Sequence, residues 1–181
     1  MKQLIRSIAL LITLTVSVYS GMCSAANEGW EEVGIRAGIS ATNKHEYFHQ
    51  YEAFTAYRLP WDWRADSGWG LDLQLNTAAG ILTGGGKNGF IGSIGPGLTL
   101  DKTGSGLALD LGPNFVIMSR RVFGEQDFSG IVQYMAHIGI TYRFPGGMGI
   151  GYRFQHMSNG NIYGYANPGL DLHMVGVSWH F

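Results

Sequence analysis

Alternation of apolar and polar residues, repeated in eight segments, is the feature that most constrains how this chain can fold. A period of two is typical of β-strands, because successive side chains of a strand point to opposite faces. Clusters of Gly, Pro, Asn and Asp separate the segments and predict turns. After residue 26 no helical period is sustained, and no stretch reaches the ~18 consecutive apolar residues of a spanning helix. The predicted strands cover residues 33–40, 47–59, 69–76, 89–100, 107–112, 132–144, 148–155 and 175–181.

The composition of the two strand faces favours a membrane barrel over a soluble β-sandwich. One face is aliphatic with aromatic residues near the strand ends, and the other carries Gly, Ser, Gln, Asp and Arg. In a transmembrane barrel the apolar face contacts lipid and the small polar face fills the interior. Eight strands leave room only for side chains inside, which excludes an open solute channel. The terminal Phe181 resembles the last residue of bacterial outer-membrane barrels. We therefore predict an all-β fold, an eight-stranded antiparallel transmembrane β-barrel of the outer membrane.

Charge and composition exclude several other classes of protein. The 181 residues include 12 Lys and Arg against 13 Asp and Glu, and charged residues make up 14%, where soluble domains carry roughly 25%. A nearly neutral chain is not a nucleic-acid binder built on a basic surface. The 28 glycines follow no Gly-X-Y period, which excludes collagen.

The first 26 residues have the features of a secretory signal peptide. Lys2 and Arg6 precede an apolar run over residues 8–18, and small residues follow at 24–26. An N-terminal membrane anchor is the alternative, but the run is shorter than the ~20 residues that a transmembrane helix needs. We expect removal of residues 1–26 and a barrel domain over residues 27–181. The one cysteine, Cys23, lies in the removed segment, and the bulky Met22 before it disfavours lipidation.

The lengths of the turns predict how the barrel is oriented. Bacterial barrels have short periplasmic turns and longer outer loops. Residues 145–147 form a short Pro-Gly-Gly turn, whereas residues 158–169 form a longer loop rich in Asn and Gly. With a periplasmic N-terminus, the seventh strand runs outward from Gly147 and rises about 25–28 Å. The end of this strand is therefore expected near the outer leaflet.

Three polar residues near this end fall on the face assigned to lipid. His156 and Ser158 share the parity of Tyr152 on the seventh strand, and Asp171 shares the parity of the apolar residues of the eighth. Polar groups on a membrane-facing surface are costly and are functional by default. A serine, a histidine and a carboxylate are the set needed for nucleophilic acyl transfer. The Cα atoms of residues 156 and 158 are ~7 Å apart in a strand, close enough for the hydroxyl to reach the imidazole.

The same residues resemble a motif of the outer-membrane lipid A 3-O-deacylase family (PagL). That family has His-x-Ser-Asn near the end of the penultimate strand, then Asn-Pro-Gly, and then an acid on the last strand. The matching segments here are residues 156–159 and 167–169, followed by Asp171. The acid of the family is usually Glu, so Asp171 is one methylene shorter. The specific part of the resemblance covers residues 150–181.

The resemblance implies an esterase that removes the acyl chain at position 3 of lipid A from the lipid-facing side of the barrel. Ser158 would be the nucleophile, His156 the general base and Asp171 the third member of the triad. The resemblance also implies oxyanion or substrate-binding roles for three residues of the adjoining loop, Asn159, Gly160 and Asn167.

The resemblance further implies which partners the protein has. They are lipid A or lipopolysaccharide as substrate and the outer-membrane lipid of a Gram-negative bacterium, with no cofactor, no metal and no nucleic acid. A homodimer stays open as an assembly. Two other functions stay open as well: a non-catalytic small barrel resembling the OmpA and OmpX proteins, and an acyltransferase barrel that adds a chain to lipid A.

Polar residues of this chain also have interpretations that involve no catalysis. Polar residues at a strand end can simply mark the lipid–water interface, and Ser-Asn-Gly is ordinary loop chemistry. The segment Gly84–Lys87 lacks the spacing of a phosphate-binding loop and predicts a turn. Interior ion pairs are expected for Arg36, Glu52, Arg58, Asp72, Asp110, Arg143 and Arg153. The other histidines are expected flanking the first outer loop (His45 and His49), inside the barrel (His137 and His180) and outside near Asp171 (His173).

Overall fold

Eight long strands form a closed antiparallel barrel, which confirms the predicted fold. A computed structural model describes residues 29–42, 46–164 and 167–181; the predicted signal peptide and His45 lie outside these ranges. No helix in the described ranges is long and apolar enough to cross a membrane. The strands are β1 Gly29–Ser40, β2 His49–Arg64, β3 Trp69–Gly84, β4 Lys87–Lys102, β5 Leu107–Met118, β6 Val122–Phe123, β7 Gln126–Asp127, β8 Val132–Arg143, β9 Met148–Ser158 and β10 Leu170–His180.

Pairing of the first and last strands closes the barrel. The order around the wall is β1-β10-β9-β8-β5-β4-β3-β2, and the β1–β10 register runs from Glu32 opposite His180 to Ser40 opposite Leu172. Closure leaves no unpaired edge among these eight described wall strands. The two-residue strands β6 and β7 form a separate hairpin in the loop between β5 and β8. We call the end with the loops 41–48, 119–131 and 159–169 the loop end, and the opposite end the turn end.

Several strands are longer than predicted, because turn-forming residues lie inside them. β3 continues to Gly84 and β5 to Met118, whereas the alternation indicated ends near residues 76 and 112. Pro113 lies inside β5 opposite Ala136 of β8, and the β4–β5 register is interrupted around Pro96. Proline lacks an N–H and removes one hydrogen bond of the ladder. The wall tolerates this local loss because the strands remain paired on both sides of it.

The predicted turn at Gly84–Lys87 is confirmed. β3 ends at Gly84 and β4 begins at Lys87, so the loop is two residues long. Gly85 has φ 53° and Gly86 φ 68°, the left-handed values that a tight type I′ hairpin requires and that glycine adopts without steric cost.

Ion pairs occupy the middle and the turn end of the interior, as predicted. Arg36 bonds to Glu52, and Arg153 lies 2.7 Å from Asp110. Arg58 contacts Glu31 at 2.9 Å between the guanidinium and carboxylate atoms. Buried charges need such partners, because an unpaired charge away from water is costly.

The interior of the loop end, in contrast, is apolar, which the sequence analysis did not predict. Phe123 of β6 and Phe128, which directly follows β7, enter the mouth of the barrel, where both are fully buried. Their rings pack around Phe48, with each centroid 5.7 Å from that of Phe48. We call this group the loop-end cluster; its members are Phe48, Leu82, Ile91, Val116, Met118, Phe123, Phe128, Met135, Met157, Leu170, Leu172 and Met174.

Candidate active site

The alternation of β9 sets the direction of each side chain at its loop end. Gln155 and Met157 are 1% and 2% exposed and lie in the interior. His156, between them, is exposed on the outer surface of the barrel. Met157 faces Leu170 of β10, and both belong to the loop-end cluster. The wall that presents His156 to the outside is therefore supported from within by packed apolar side chains.

His156 and Asp171 form a hydrogen-bonded pair on that outer surface. They are direct partners in the β9–β10 register, and Nδ1 of His156 lies 2.6 Å from Oδ1 of Asp171. The His156 side chain is 49% exposed and that of Asp171 is 20% exposed. The backbone of Asp171 is fixed as well, since its carbonyl accepts a 2.8 Å hydrogen bond from the N–H of Ala41. A carboxylate bound to Nδ1 holds the imidazole in one orientation and leaves Nε2 available.

Ser158 is the last residue of β9 and has the same parity as His156. It is half-buried and lies opposite Tyr134 of β8. Residues two apart in a strand have Cα atoms ~7 Å apart on one face. Because Asp171 engages Nδ1, Nε2 is the ring nitrogen of His156 that remains for a hydroxyl.

Gly169 provides the space that the imidazole of His156 occupies. A Cβ atom added to Gly169 would lie 2.9 Å from Cε1 of His156 and 3.6 Å from Nε2. Real Cβ atoms essentially never approach closer than 3.0 Å, so a larger residue would push the ring away from its place above β10.

For a reaction in which His156 is the general base, we therefore expect Gly169→Ala to lower ester hydrolysis at least tenfold, because a displacement of about 1 Å of such a group lowers the rate steeply. The measurement is kcat on a soluble nitrophenyl ester. Gly29→Ala is the matched control, since an added Cβ there meets nothing within 4 Å, and it should retain full activity. Unchanged activity of Gly169→Ala would show that the position of the ring does not depend on this contact.

Asn159 anchors the loop that follows Ser158. Its side chain is fully buried. Its backbone N–H donates to Oδ1 of Asn167 at 3.0 Å, and its Nδ2 donates to the carbonyl of Phe128 at 3.4 Å. Its Oδ1 accepts from the N–H of Asn161 at 2.8 Å. The N–H donors of Asn159 thus serve the loop and its contact with the β6–β7 hairpin.

Gly160 and Asn167 differ from Asn159 in how their N–H donors are used. Gly160 has φ 59°, and a Cβ atom there would lie 3.0 Å from the ring of Tyr134. Asn167 uses its Oδ1 for Asn159, which directs its Nδ2 the other way. Within the described part of the chain, the N–H of Gly160 and the Nδ2 of Asn167 have no hydrogen-bond acceptor.

Comparison with known proteins identifies the family. The sequence profile described as "Lipid A 3-O-deacylase (PagL)" matches residues 49–180. The chain belongs to this family. The match includes both predicted motif segments and Asp171. A search of curated protein sequences gives no match.

Solved structures support the fold assignment. The chain is similar to a crystal structure of the outer membrane enzyme PagL, with a TM-score of 0.71 and 18% identity over 83% of this chain and 99% of that one. It is also similar to a de novo designed transmembrane β-barrel, with a TM-score of 0.50 and 13% identity over 87% of this chain and 100% of the design. At these identities the likeness shows the shared barrel.

A second polar pair lies on the outer surface of this PagL-family barrel, next to the first. The hydroxyl of Tyr152 is 2.7 Å from Nδ1 of His173, and the ring of Phe154 packs against His173 at 5.5 Å between centroids. His173 was expected outside near Asp171, and it lies there, but its Nδ1 bonds to Tyr152. Parity placed both residues outside, yet only the β9–β10 register makes them neighbours.

The other described histidines have the structural surroundings that were predicted. His137 lies inside the barrel, 3.1 Å from Oδ1 of Asn114, and His180 lies inside near Glu32. His49 packs edge-on against Tyr47. Among the described residues, no group of three or more His, Cys, Asp or Glu side chains has the geometry to hold a metal ion.

Proposed function

We propose that the protein is a serine esterase that hydrolyses the 3-position acyl ester of lipid A from the outer surface of its barrel. The observation that carries this proposal is the 2.6 Å bond between His156 and Asp171 on the same outer face as Ser158. Apart from the Tyr152–His173 pair, the surrounding outer face is largely apolar, with Ile138, Ile140 and Val175 among its exposed residues. Membership of the PagL family supplies the substrate class.

The geometry supports the following acyl transfer. Oγ of Ser158 attacks the carbonyl carbon of the ester and gives its proton to Nε2 of His156, while Asp171 stabilises the resulting imidazolium. The tetrahedral intermediate then breaks its bond to the sugar oxygen, which takes the proton from His156. A water molecule, deprotonated by the same imidazole, hydrolyses the acyl-serine and releases a free fatty acid. The proton returns to Oγ of Ser158.

We assign the oxyanion donors to the N–H of Gly160 and the Nδ2 of Asn167. Both lie in the loop next to Ser158, and neither is engaged within the described residues. Donors that are fixed before the reaction stabilise the developing charge without reorganisation. Asn159 then acts indirectly, because its N–H holds Oδ1 of Asn167 and so orients the amide.

The proposed location is the outer membrane of a Gram-negative bacterium, reached by export with a signal peptide over residues 1–26. The short turns then face the periplasm, and the loop end, with Ser158, lies at the outer leaflet. Lipid A is the lipid of that leaflet, so a substrate would reach the site by lateral movement along the wall. Aliphatic side chains such as Ile138 and Val175 suit its acyl chains.

The mass of lipid A after incubation with the purified protein tests the proposal. We expect the loss of one acyl chain and the appearance of one equivalent of free hydroxy fatty acid, because hydrolysis splits one ester. An unchanged mass would favour the non-catalytic barrel, and a gain of one chain in the presence of phospholipid would favour the acyltransferase. Either result contradicts the esterase.

A further inference from the structure

The two sides of Ser158 on the outer surface are chemically different. On the β10 side lie His156, Asp171 and the backbone at Gly169, which surrounds the imidazole. On the β8 side the direct neighbour of Ser158 is Tyr134. Because the acid–base pair lies on the β10 side, the β8 side is the flank of Ser158 that these two side chains leave open to the rest of a substrate.

Two exposed aromatic rings cover that β8 side. Tyr134 is 40% exposed, and Phe115, its partner on β5, is 59% exposed. Their ring centroids are 5.3 Å apart with an interplanar angle of 53°. Gly160 borders the Tyr134 ring so closely that a Cβ atom would lie 3.0 Å from it. The ring therefore adjoins the proposed oxyanion loop as well as the nucleophile.

Immediately below these rings, toward the turn end, the outward-facing side chains are short. Ala136 lies opposite His156 on β8, and Pro113 lies opposite Ala136 on β5. Both are exposed and short. Beside the nucleophile, the outer surface thus carries two protruding aromatic rings toward the loop end. Below them, toward the turn end, it carries short apolar side chains. A glycolipid has the matching order, with its sugar above its acyl chains.

We propose that Tyr134, together with Phe115, forms the surface against which the sugar of the glycolipid substrate stacks, so that Tyr134 determines specificity for a sugar ester. The inference rests on the proposed function and adds the binding site of the sugar. The face of an aromatic ring is electron-rich, and the C–H bonds on one face of a pyranose carry partial positive charge. Contact between the two holds the ester oxygen of the sugar near His156.

Contact with the sugar would hold the ester in place beside Ser158. Losing that contact should therefore slow the hydrolysis of sugar esters but not of esters without a sugar. Loss of one aromatic contact is expected to lower kcat/KM for lipid A by about tenfold. Hydrolysis of an ester without a sugar should be unaffected. Tyr134→Phe keeps the ring and should behave like the wild type, which separates stacking from any role of the hydroxyl.

The experiment compares Tyr134→Leu, Tyr134→Phe and the control Tyr142→Leu on two substrates, purified lipid A and p-nitrophenyl decanoate, in one detergent. Tyr142 lies on the same strand and face near the turn end and is also 40% exposed. We expect about a tenfold loss of kcat/KM on lipid A for Tyr134→Leu alone, and less than a twofold change on the nitrophenyl ester. Folding of each variant is checked by its heat-dependent mobility on a gel.

Three results would overturn the inference. An equal loss on both substrates would make Tyr134 a support of the catalytic loop, and no loss on either would make it an interfacial aromatic residue. A loss shared by Tyr142→Leu would indicate an effect on the barrel as a whole. Failure of the proposed function is distinct, because a wild-type protein that leaves lipid A intact, or a Ser158→Ala variant that still cleaves it, would overturn both.

Discussion

Replacing Ser158 by alanine is expected to reduce the release of fatty acid from lipid A by about 10⁴- to 10⁶-fold, because no other group replaces a nucleophile that forms the covalent intermediate. The barrel itself should remain folded. Ser158 ends β9, and its side chain makes no hydrogen bond within the described residues. Release of fatty acid from purified lipid A, measured by gas chromatography, quantifies the loss.

Ser178→Ala is the matched control for this variant. Ser178 lies on β10 in the interior, where its hydroxyl is 3.2 Å from Nε2 of His180, so it takes no part in the proposed reaction. It should retain wild-type activity. A Ser158→Ala protein with more than a tenth of the wild-type rate would exclude Ser158 as the nucleophile.

Asp171→Asn is expected to lower kcat by about 10⁴-fold. An amide of the same size keeps the packing but neither stabilises the imidazolium nor fixes the tautomer with the proton on Nδ1. The 2.6 Å hydrogen bond between His156 and Asp171 is then replaced by a bond to an amide, which can hold the imidazole as the tautomer that carries its proton on Nε2 and cannot accept one there. Steady-state kinetics on lipid A and on the nitrophenyl ester should show the same loss, because the effect lies in the chemistry.

The charge of residue 171 should matter more than the length of its side chain. Asp171→Glu keeps a carboxylate one methylene longer, so we expect it to retain activity within about tenfold, as the Nδ1 hydrogen bond can re-form. Asp127→Asn, at an exposed position of the β6–β7 hairpin, is the control and should retain full activity. A loss of less than tenfold in Asp171→Asn would mean that the carboxylate does not assist His156.

Side-chain parity and hairpin order are what made the site predictable. A period of two places His156 and Asp171 on one face as soon as the two strands are known to be neighbours. The loop of residues 159–169 is short enough that these strands must pair with each other. The observed register puts the two residues directly opposite one another. Parity likewise placed the interior ion pairs, because the charges in question share the inward face.

The interior of the loop end could not be predicted in this way. Met157 and Leu170 are as apolar as the lipid-facing residues, so the contrast between the two faces disappears near the loop end. Pro113 hid the continuation of β5, because proline is a turn signal when it is considered alone. The β6–β7 hairpin was not predicted, since two-residue strands carry no measurable period.

The role of Asn159 shows a second limit of local patterns. Its place next to Ser158 predicts an oxyanion donor, whereas our proposal gives it the indirect role of orienting Asn167. Its donors are directed to Asn167 and to the carbonyl of Phe128. Phe128 is 31 residues away in the sequence and reaches Asn159 only because the β6–β7 hairpin folds into the mouth of the barrel. Such a contact has no signature in the spacing of the motif.

The tandem mass spectrum of lipid A from membranes that contain the wild-type protein or the Ser158→Ala variant tests the central claim most directly. The account predicts that only the wild-type sample lacks the ester-linked chain at position 3, with every other chain retained. Identical spectra from the two samples, or a wild-type spectrum in which a different position has lost or gained a chain, would contradict it.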